Sequence, residues 1–306
     1  MKAVITGATG AIGMALIEEL VRNDIEVLVL CREGSVRSAN IKESSLVKKI
    51  NCPLDEMCDL SVEGEKYDIF FHLAWDGTTG STRNDMYLQN LNVKYTLDAV
   101  NLASRLGCEC FVGAGSQAEY GRVEGNINGN TPTSPENGYG IAKLAAGRMS
   151  RIMCEELGMK HVWARILSVY GPYDGLRSMV MSTIVELRKG SVPKFTLGEQ
   201  IWDYMYSSDA AKALLAIAEK GKNGKVYCLG SGKGKKLREY IEKIRDTVAP
   251  DAKLGIGEIP YAKNQVMYLC ADISDLKNDT GFVPSISFDE GIKMTVKWFD
   301  DFVKNR

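Results

Sequence analysis

A chain of 306 residues that is 45% hydrophobic and 25% charged holds enough apolar material for a full core, which excludes a disordered or fibrous protein. Thirty-eight basic side chains against 39 acidic ones leave a formal net charge of −1, so there is no basic excess to neutralise a nucleic-acid backbone, and no nucleic-acid partner is expected. No apolar run approaches the ~20 residues of a membrane-spanning helix, and the opening Met1-Lys2-Ala3-Val4-Ile5 reads as a strand rather than a signal segment, so no membrane association is expected either.

In chain order, residues 3–6 form a short apolar run, followed by a glycine turn and a helical pattern over 11–23. Residues 26–31 read as a second strand. The runs 68–74 and 110–113 are continuously apolar, as suits parallel strands buried on both faces. Between them, 85–105 has helical spacing, with Leu88, Leu91, Tyr95, Ala99 and Leu102 on one face. A second long helix is expected over 134–157 and a strand over 161–169. After Gly171-Pro172 the alternation weakens into a helix with loops to 196, a segment 200–209 leading into another helix, and an amphipathic terminal helix over 287–304. Repeated β-α-β units predict an α/β fold, a Rossmann-type doubly wound parallel sheet. Eight cysteines without a C-x-x-C pair, and only two histidines, give zinc no ligand set. Reduced thiols packed as small core residues in a cytoplasmic, metal-free protein are expected.

The segment Thr6-Gly7-Ala8-Thr9-Gly10-Ala11-Ile12-Gly13 is G-x-x-G-x-x-G, placed directly after the first strand and opening the first helix. Glycines allow the tight turn and let backbone N–H groups approach a pyrophosphate at the positive end of the helix. Gly7, Thr9, Gly10, Ala11, Ile12 and Gly13 are therefore expected to bind a dinucleotide. The second strand ends Leu30-Cys31-Arg32, with no acid at its tip to take the ribose hydroxyls of NAD, and Glu33 lies one step further on. Arg32 suits a 2′-phosphate through a charge-assisted bidentate pair, so NADP is expected over NAD. Asp55 or Asp59 is a candidate adenine contact.

Tyr139 and Lys143 stand at i and i+4 on one helix face. That spacing alone is a weak signal. It gains weight because the pair follows, by one strand–loop–helix step, the segment ending at Ser116, a hydroxyl at the C-terminal end of a strand where open α/β sheets bind ligands.

The glycine turn, Ser116 with the following Glu119-Tyr120-Gly121, the Y-x-x-x-K of Tyr139 and Lys143, and Val169-Tyr170-Gly171-Pro172 together resemble the extended short-chain dehydrogenase/reductase superfamily, in its NAD(P)-dependent nucleotide-sugar epimerase/dehydratase/reductase group. The likeness covers residues 1–215, and Trp202-Asp203-Tyr204 resembles a late family motif. The resemblance implies an NAD(P)-binding Rossmann domain over 1–170, with part of 200–230 returning to the sheet, and a smaller C-terminal, mainly substrate-binding lobe over 171–306. It implies Tyr139 as acid/base, Lys143 as the ammonium that lowers the tyrosine pKa and holds the nicotinamide ribose, and Ser116 as the hydrogen-bond partner of the reacting oxygen. It further implies that Leu73, Ala74, Trp75, Leu167 and Val169 line the cofactor, with Trp75 either walling the sugar or covering the core. Ser116, Gln117, Thr78 and Arg177 are the expected substrate contacts, with Lys194 as an alternative phosphate clamp.

Departures from the family pattern select among its activities. The 4,6-dehydratases carry an Asp-Glu pair after the catalytic hydroxyl, where this chain has Gln117-Ala118, so water elimination is disfavoured. Glu119, one residue later, is expected to point to the opposite face in a structural role. His72, inside an apolar strand, is expected to be a satisfied core residue. The family's R-D-Y reads W-D-Y at Trp202, which weakens a UDP-sugar 4-epimerase. The expected function is an NADPH-dependent reductase of a keto group on a nucleotide-linked sugar, a 4-keto-6-deoxyhexose above all. The alternative is an NAD-dependent nucleotide-sugar epimerase. A homodimer formed through 85–105 and 134–157 is expected by analogy.

Overall fold

The computed structural model describes residues 1–62 and 64–304. Seven strands form the central sheet: β1 (Lys2–Thr6), β2 (Glu26–Cys31), β3 (Val47–Asn51), β4 (Ile69–His72), β5 (Cys110–Ser116), β6 (Lys160–Ile166) and β7 (Val226–Leu229). Their spatial order is β7-β6-β5-β4-β1-β2-β3, and every neighbouring pair is parallel. Strand order reverses beside β1, where Thr6 is level with Leu30 of β2 and His72 of β4. This is the crevice in which open α/β sheets take their ligands.

The continuous apolar strands follow from burial on both faces, since successive side chains alternate across a sheet. Ile5, Phe71 and Val112 pack with Leu16 and Leu20 of helix α1 (Ala11–Arg22) and with Leu214 and Ile217 of α5 (Ser207–Lys220). Their chain neighbours Val4, Phe70 and Phe111 face the other way, onto Ala99, Val100 and Ala103 of α2 (Met86–Arg105) and Cys154 of α3 (Gly138–Glu156). Six of the eight cysteines are buried and all are free thiols, as their use as small core residues requires. Burial pushes Cys108 up to about 12 and Cys110 up to about 11, which makes them unreactive.

Several boundaries differ from the sequence reading. Strand β3 went unread because it carries Lys48 and Lys49; it lies at the sheet edge, where exposed lysines discourage pairing with another chain. The expected strand over 161–169 divides at Leu167: the first part lies in the main sheet, whereas Ser168–Tyr170 pairs with Tyr204–Tyr206. Helix α3 starts at Gly138 rather than 134, after Pro135, with the Asn137 side chain accepting the Gly140 N–H at 2.9 Å as its N-cap. Strand β5 runs three residues past 113, which carries Ser116 to the sheet's C-terminal edge.

Beyond Gly171, α4 (Met179–Arg188), α6 (Leu237–Val248) and α8 (Phe288–Lys304) share a separate apolar cluster with Tyr170 and Tyr206. Between α6 and α8 lies the short α7 (Ser274–Thr280). Asp203, fully buried, gathers the loops of this part. Its carboxylate accepts from Ser231 N and Oγ, Gly232 N and Ala271 N at 2.5–3.1 Å. Among the described residues no helix is long and apolar enough to cross a membrane, and no group of three or more His, Cys, Asp or Glu could hold a metal ion.

Candidate active site

The glycine turn is built for close approach. Gly7 has φ +71°, and a Cβ there would stand 2.5 Å from Ala74 N; a Cβ on Gly13 would stand 2.4 Å from Gly7 O. A Cβ on Gly10 would meet nothing within 4 Å, so this glycine borders open space. Helix α1 begins there with no side-chain cap and no acid in its first turn, whereas Asp85 caps α2 and Asn137 caps α3. An uncapped N-terminus leaves its first N–H groups directed at the crevice, the arrangement that a pyrophosphate satisfies. These residues therefore fit a dinucleotide cofactor.

Two adjoining clefts meet at this turn. The first, lined by Gly7, Thr9, Leu30, Cys31, Arg32, Ser35, Ala74 and Trp75, lies between the ends of β1 and β2 and the segment 52–55. Arg32 lines it and Glu33 does not. The Glu33 N–H donates to Asn51 Oδ1 at 2.6 Å, and its carboxylate is 3.5 Å from Asn51 Nδ2. Asp55 lines the same cleft and Asp59 does not. Ser35, Asp76 and Tyr95, unread in the sequence, complete it.

The second cleft brings together Gly7, Gly10, Ala11, Ile12, Gly13, Leu73, Trp75, Thr78, Ser116, Tyr139, Lys143, Leu167 and Val169. Ser116 ends β5 inside a capping box. Its Oγ accepts the Ala118 N–H at 3.2 Å, which leaves the hydroxyl proton for donation, and its own N–H donates to Glu119 Oε1 at 2.8 Å. Glu119 is fully buried and structural. It also accepts from Trp163 Nε1 at 3.0 Å and pairs with Arg165 Nε at 2.6 Å. The carboxylate therefore fixes the peptide that carries Ser116.

Tyr139 sits in the first turn of α3, lining the cleft with Ser116 and edge-on to Trp75 at 6.0 Å between ring centroids. Burial raises its pKa, while the Ser116 hydroxyl and the positive charge of Arg83 act to lower it. Lys143 donates from Nζ to Ala114 O at 2.6 Å and lies 3.8 Å from the Trp75 ring centroid. Burial pushes its ammonium down to about 7. The cation closest to the phenol ring is thus Arg83, whose Cζ lies 4.4 Å from the ring centroid against 5.9 Å for Lys143 Nζ. Nothing in the sequence pattern marked Arg83. Trp75 both packs and lines: its Nε1 donates to Gln89 Oε1 at 2.9 Å, and its ring borders both clefts.

Asp174, also unread although it directly follows V-Y-G-P-Y, lines the second cleft. Its carboxylate accepts from Gly175 N and Ser178 Oγ, each at 2.7 Å. Gln117 and Arg177 do not line this cleft: Gln117 opens the turn after β5 and Arg177 is exposed before α4. Lys194 is exposed and paired with Glu258 at 2.9 Å. Trp202 donates from Nε1 to Ser168 Oγ at 2.8 Å, bracing Ser168–Tyr170 where the family's arginine would reach for a ligand. His72 is a satisfied core residue, 2.9 Å from Thr6 Oγ1, and burial pushes it down to about 3.

Comparison with known proteins agrees with this fold. The uncharacterized UDP-glucose epimerase YtcB of Bacillus subtilis is 25% identical over 305 residues, spanning 95% of this chain and 96% of the relative. The UDP-glucose 4-epimerase of Thermotoga maritima, solved with UDP-glucose, superposes with a TM-score of 0.88 at 22% identity, covering 99% of this chain and all of that one. The dTDP-glucose 4,6-dehydratase DesIV of Streptomyces venezuelae, solved with NAD bound, gives a TM-score of 0.86 at 19% identity over 98% of this chain and 97% of that one. The model of the NAD-dependent epimerase/dehydratase family matches residues 3–230, and the chain belongs to that family.

Proposed function

We propose that the protein is an NAD-dependent epimerase acting on a nucleotide-linked sugar. The observation that carries this reading is the convergence of Ser116, Tyr139 and Lys143 on one cleft continuous with the glycine turn, with Gln117-Ala118 where a dehydratase needs two carboxyl groups. An amide and a methyl group can serve neither as acid nor as base in eliminating water, so between the epimerases and the 4,6-dehydratases among its relatives these side chains support the epimerases.

The glycine turn, with Leu73, Ala74, Trp75 and Lys143, would hold the dinucleotide, which when bound would supply reversible hydride exchange with a sugar carbon. Tyr139 would accept the hydroxyl proton as that hydride leaves and give it back as the hydride returns, so the tyrosine ends each turnover as it began. Ser116, with its Oγ held by the Ala118 N–H, would donate its proton to the reacting oxygen and fix its position. Lys143 would supply its ammonium toward the nicotinamide ribose, and Asp174, which lines the same cleft, would accept hydrogen bonds from sugar hydroxyls.

The reductase expected from the sequence stands second. It is favoured by one observation, that Arg32 lines the adenosine end of the cleft and Glu33 does not, as a 2′-phosphate would require. The two readings separate on cofactor analysis of the purified protein. An epimerase carries NAD and interconverts two sugars without net change in it, whereas a reductase oxidises one NADPH for each keto sugar reduced. A homodimer belongs to the same proposal, formed through the exposed apolar side chains Tyr87 and Leu91 of α2 and Ile141, Met149 and Ile152 of α3, as does action in the cytoplasm.

A further inference from the structure

Arg83 lies in the turn Gly80–Asn84, between β4 and α2. Its guanidinium is seated over the face of the Tyr139 ring, with Cζ 4.4 Å from the centroid, and its Nη1 donates to Thr78 O at 3.1 Å. Thr78 lines the catalytic cleft. The turn is fixed to the start of α3 by a second contact, since Asn84 Oδ1 accepts the Gly138 N–H at 3.0 Å. A Cβ on Gly138 would stand 3.0 Å from Arg83 O and 2.8 Å from the flexible end of Met86, so the turn packs closely on the residue before Tyr139. Trp75 meets the same ring edge-on. The phenol is thus held between an indole and a guanidinium, a geometry in which the cation faces the negative side of the ring.

We propose that Arg83 is a positioning residue for Tyr139: it holds the phenol ring in register with Ser116 and supplies the permanent positive charge beside it. The inference rests on the reading of Tyr139 as acid/base and adds to it the group that tunes it. The charged groups that act on the ring come from three elements. They are Arg83 from the turn before α2, Lys143 from α3 itself, and Glu119 from the turn after β5, which opposes the two cations. Lys143 is turned to Ala114 O and Trp75, and burial pushes its ammonium down to about 7 so that its charge varies across the working pH range, whereas a guanidinium stays charged throughout. The constant part of the field at the phenol is therefore Arg83.

The test is an NMR titration of 13C-tyrosine-labelled full-length protein, with NAD present and absent, in which Tyr139→Phe identifies the Tyr139 signal. Arg83→Gln, which keeps a planar polar group but removes the charge, is expected to move the Tyr139 midpoint up by about one pH unit, equivalent to a tenfold change in phenolate at a fixed pH. Arg83→Lys is expected to recover at least half of that displacement. In the wild-type protein, raising salt from 0.02 to 1 M is expected to move the same midpoint upward, because Arg83 is half exposed; in Arg83→Gln salt is expected to have little effect. An unchanged midpoint in Arg83→Gln, or a lysine variant that titrates like the glutamine one, would overturn the proposal. A wild-type midpoint indifferent to salt would do the same without relying on any variant. Turnover of UDP-glucose gives the second readout: the pH at which kcat reaches half its maximum is expected to move with the NMR midpoint. Absence of turnover in the wild type would count against the epimerase reading and leave the titration result standing.

Discussion

Replacing Glu119 tests how the site is held together. Its carboxylate takes three donors inside the core: the Ser116 N–H, Trp163 Nε1 and Arg165 Nε. Glu119 is fully buried and Arg165 is 5% exposed. Glu119→Gln keeps the shape, but its amide must turn an NH2 toward one of these donors and leaves the guanidinium without a counter-charge. Breaking one side of a buried pair costs about 3–5 kcal/mol, and at this chain length each kcal/mol corresponds to about 1.5 °C in Tm. The expected loss is therefore about 3 kcal/mol or more in urea unfolding, accompanied by a melting point lower by about 5 °C or more. The double variant Glu119→Gln, Arg165→Met removes the orphaned charge and is expected to recover most of the loss. Because the same carboxylate holds the peptide of Ser116, turnover should fall further than the folded fraction does. A loss below about 1 kcal/mol in Glu119→Gln, or a double variant no better than the single, would refute the argument that the pair is an interlocked support for Ser116.

Gly7→Ala forces a left-handed residue to carry a Cβ 2.5 Å from Ala74 N, and calorimetric titration with NAD should show binding lost. On the reductase reading, Arg32→Ala should weaken NADPH at least ~10-fold, or ~1.4 kcal/mol, while leaving NADH unchanged; equal losses for both would remove Arg32 from 2′-phosphate recognition and with it the observation that favours that reading. Lys143 has a folded pKa near 7, below its unfolded value near 10.5, so the unfolded chain binds the extra proton across that interval. Stability should accordingly rise with pH from 7 to 10 and level off below 7, where folded and unfolded chains both hold the proton. Lys143→Met should remove that part of the slope in urea unfolding, read as the difference from wild type. Sedimentation at micromolar concentration should show a dimer, and Ile152→Asp should convert it to monomer.

The sheet and the glycine turn were legible because their signals are local. Strands β1, β2 and β4 are continuous apolar runs, and the turn's glycines are required at positions a sequence displays directly. Ser116, Tyr139 and Lys143 could be placed because strand ends and helix periodicity determine where they point. Strand β3 escaped because an edge strand with no fully buried residue needs few apolar side chains, here Val47 and Ile50 alone, and Lys48-Lys49 resembles a solvated loop. Arg83 and Asp174 escaped for a different reason. Both lie in loops whose course is set by tertiary contacts, the Asn84 bond to Gly138 in one case and the Ser178 and Gly175 donors in the other, and neither leaves a periodic trace. Trp202 could be seen as a departure from the family motif, but its bond to Ser168 becomes visible only once the chain is folded.

The most direct test of the account is to release and identify the cofactor of the purified protein, then incubate that protein with UDP-, dTDP- and CDP-linked hexoses and follow the sugars by NMR. The expected result is about one equivalent of NAD per chain and conversion of at least one sugar into its epimer, with no net NADH formed and with the conversion abolished in Tyr139→Phe. Protein free of NAD that leaves every sugar unchanged, yet oxidises NADPH stoichiometrically with a nucleotide-linked keto sugar, would contradict the epimerase and establish the reductase in its place.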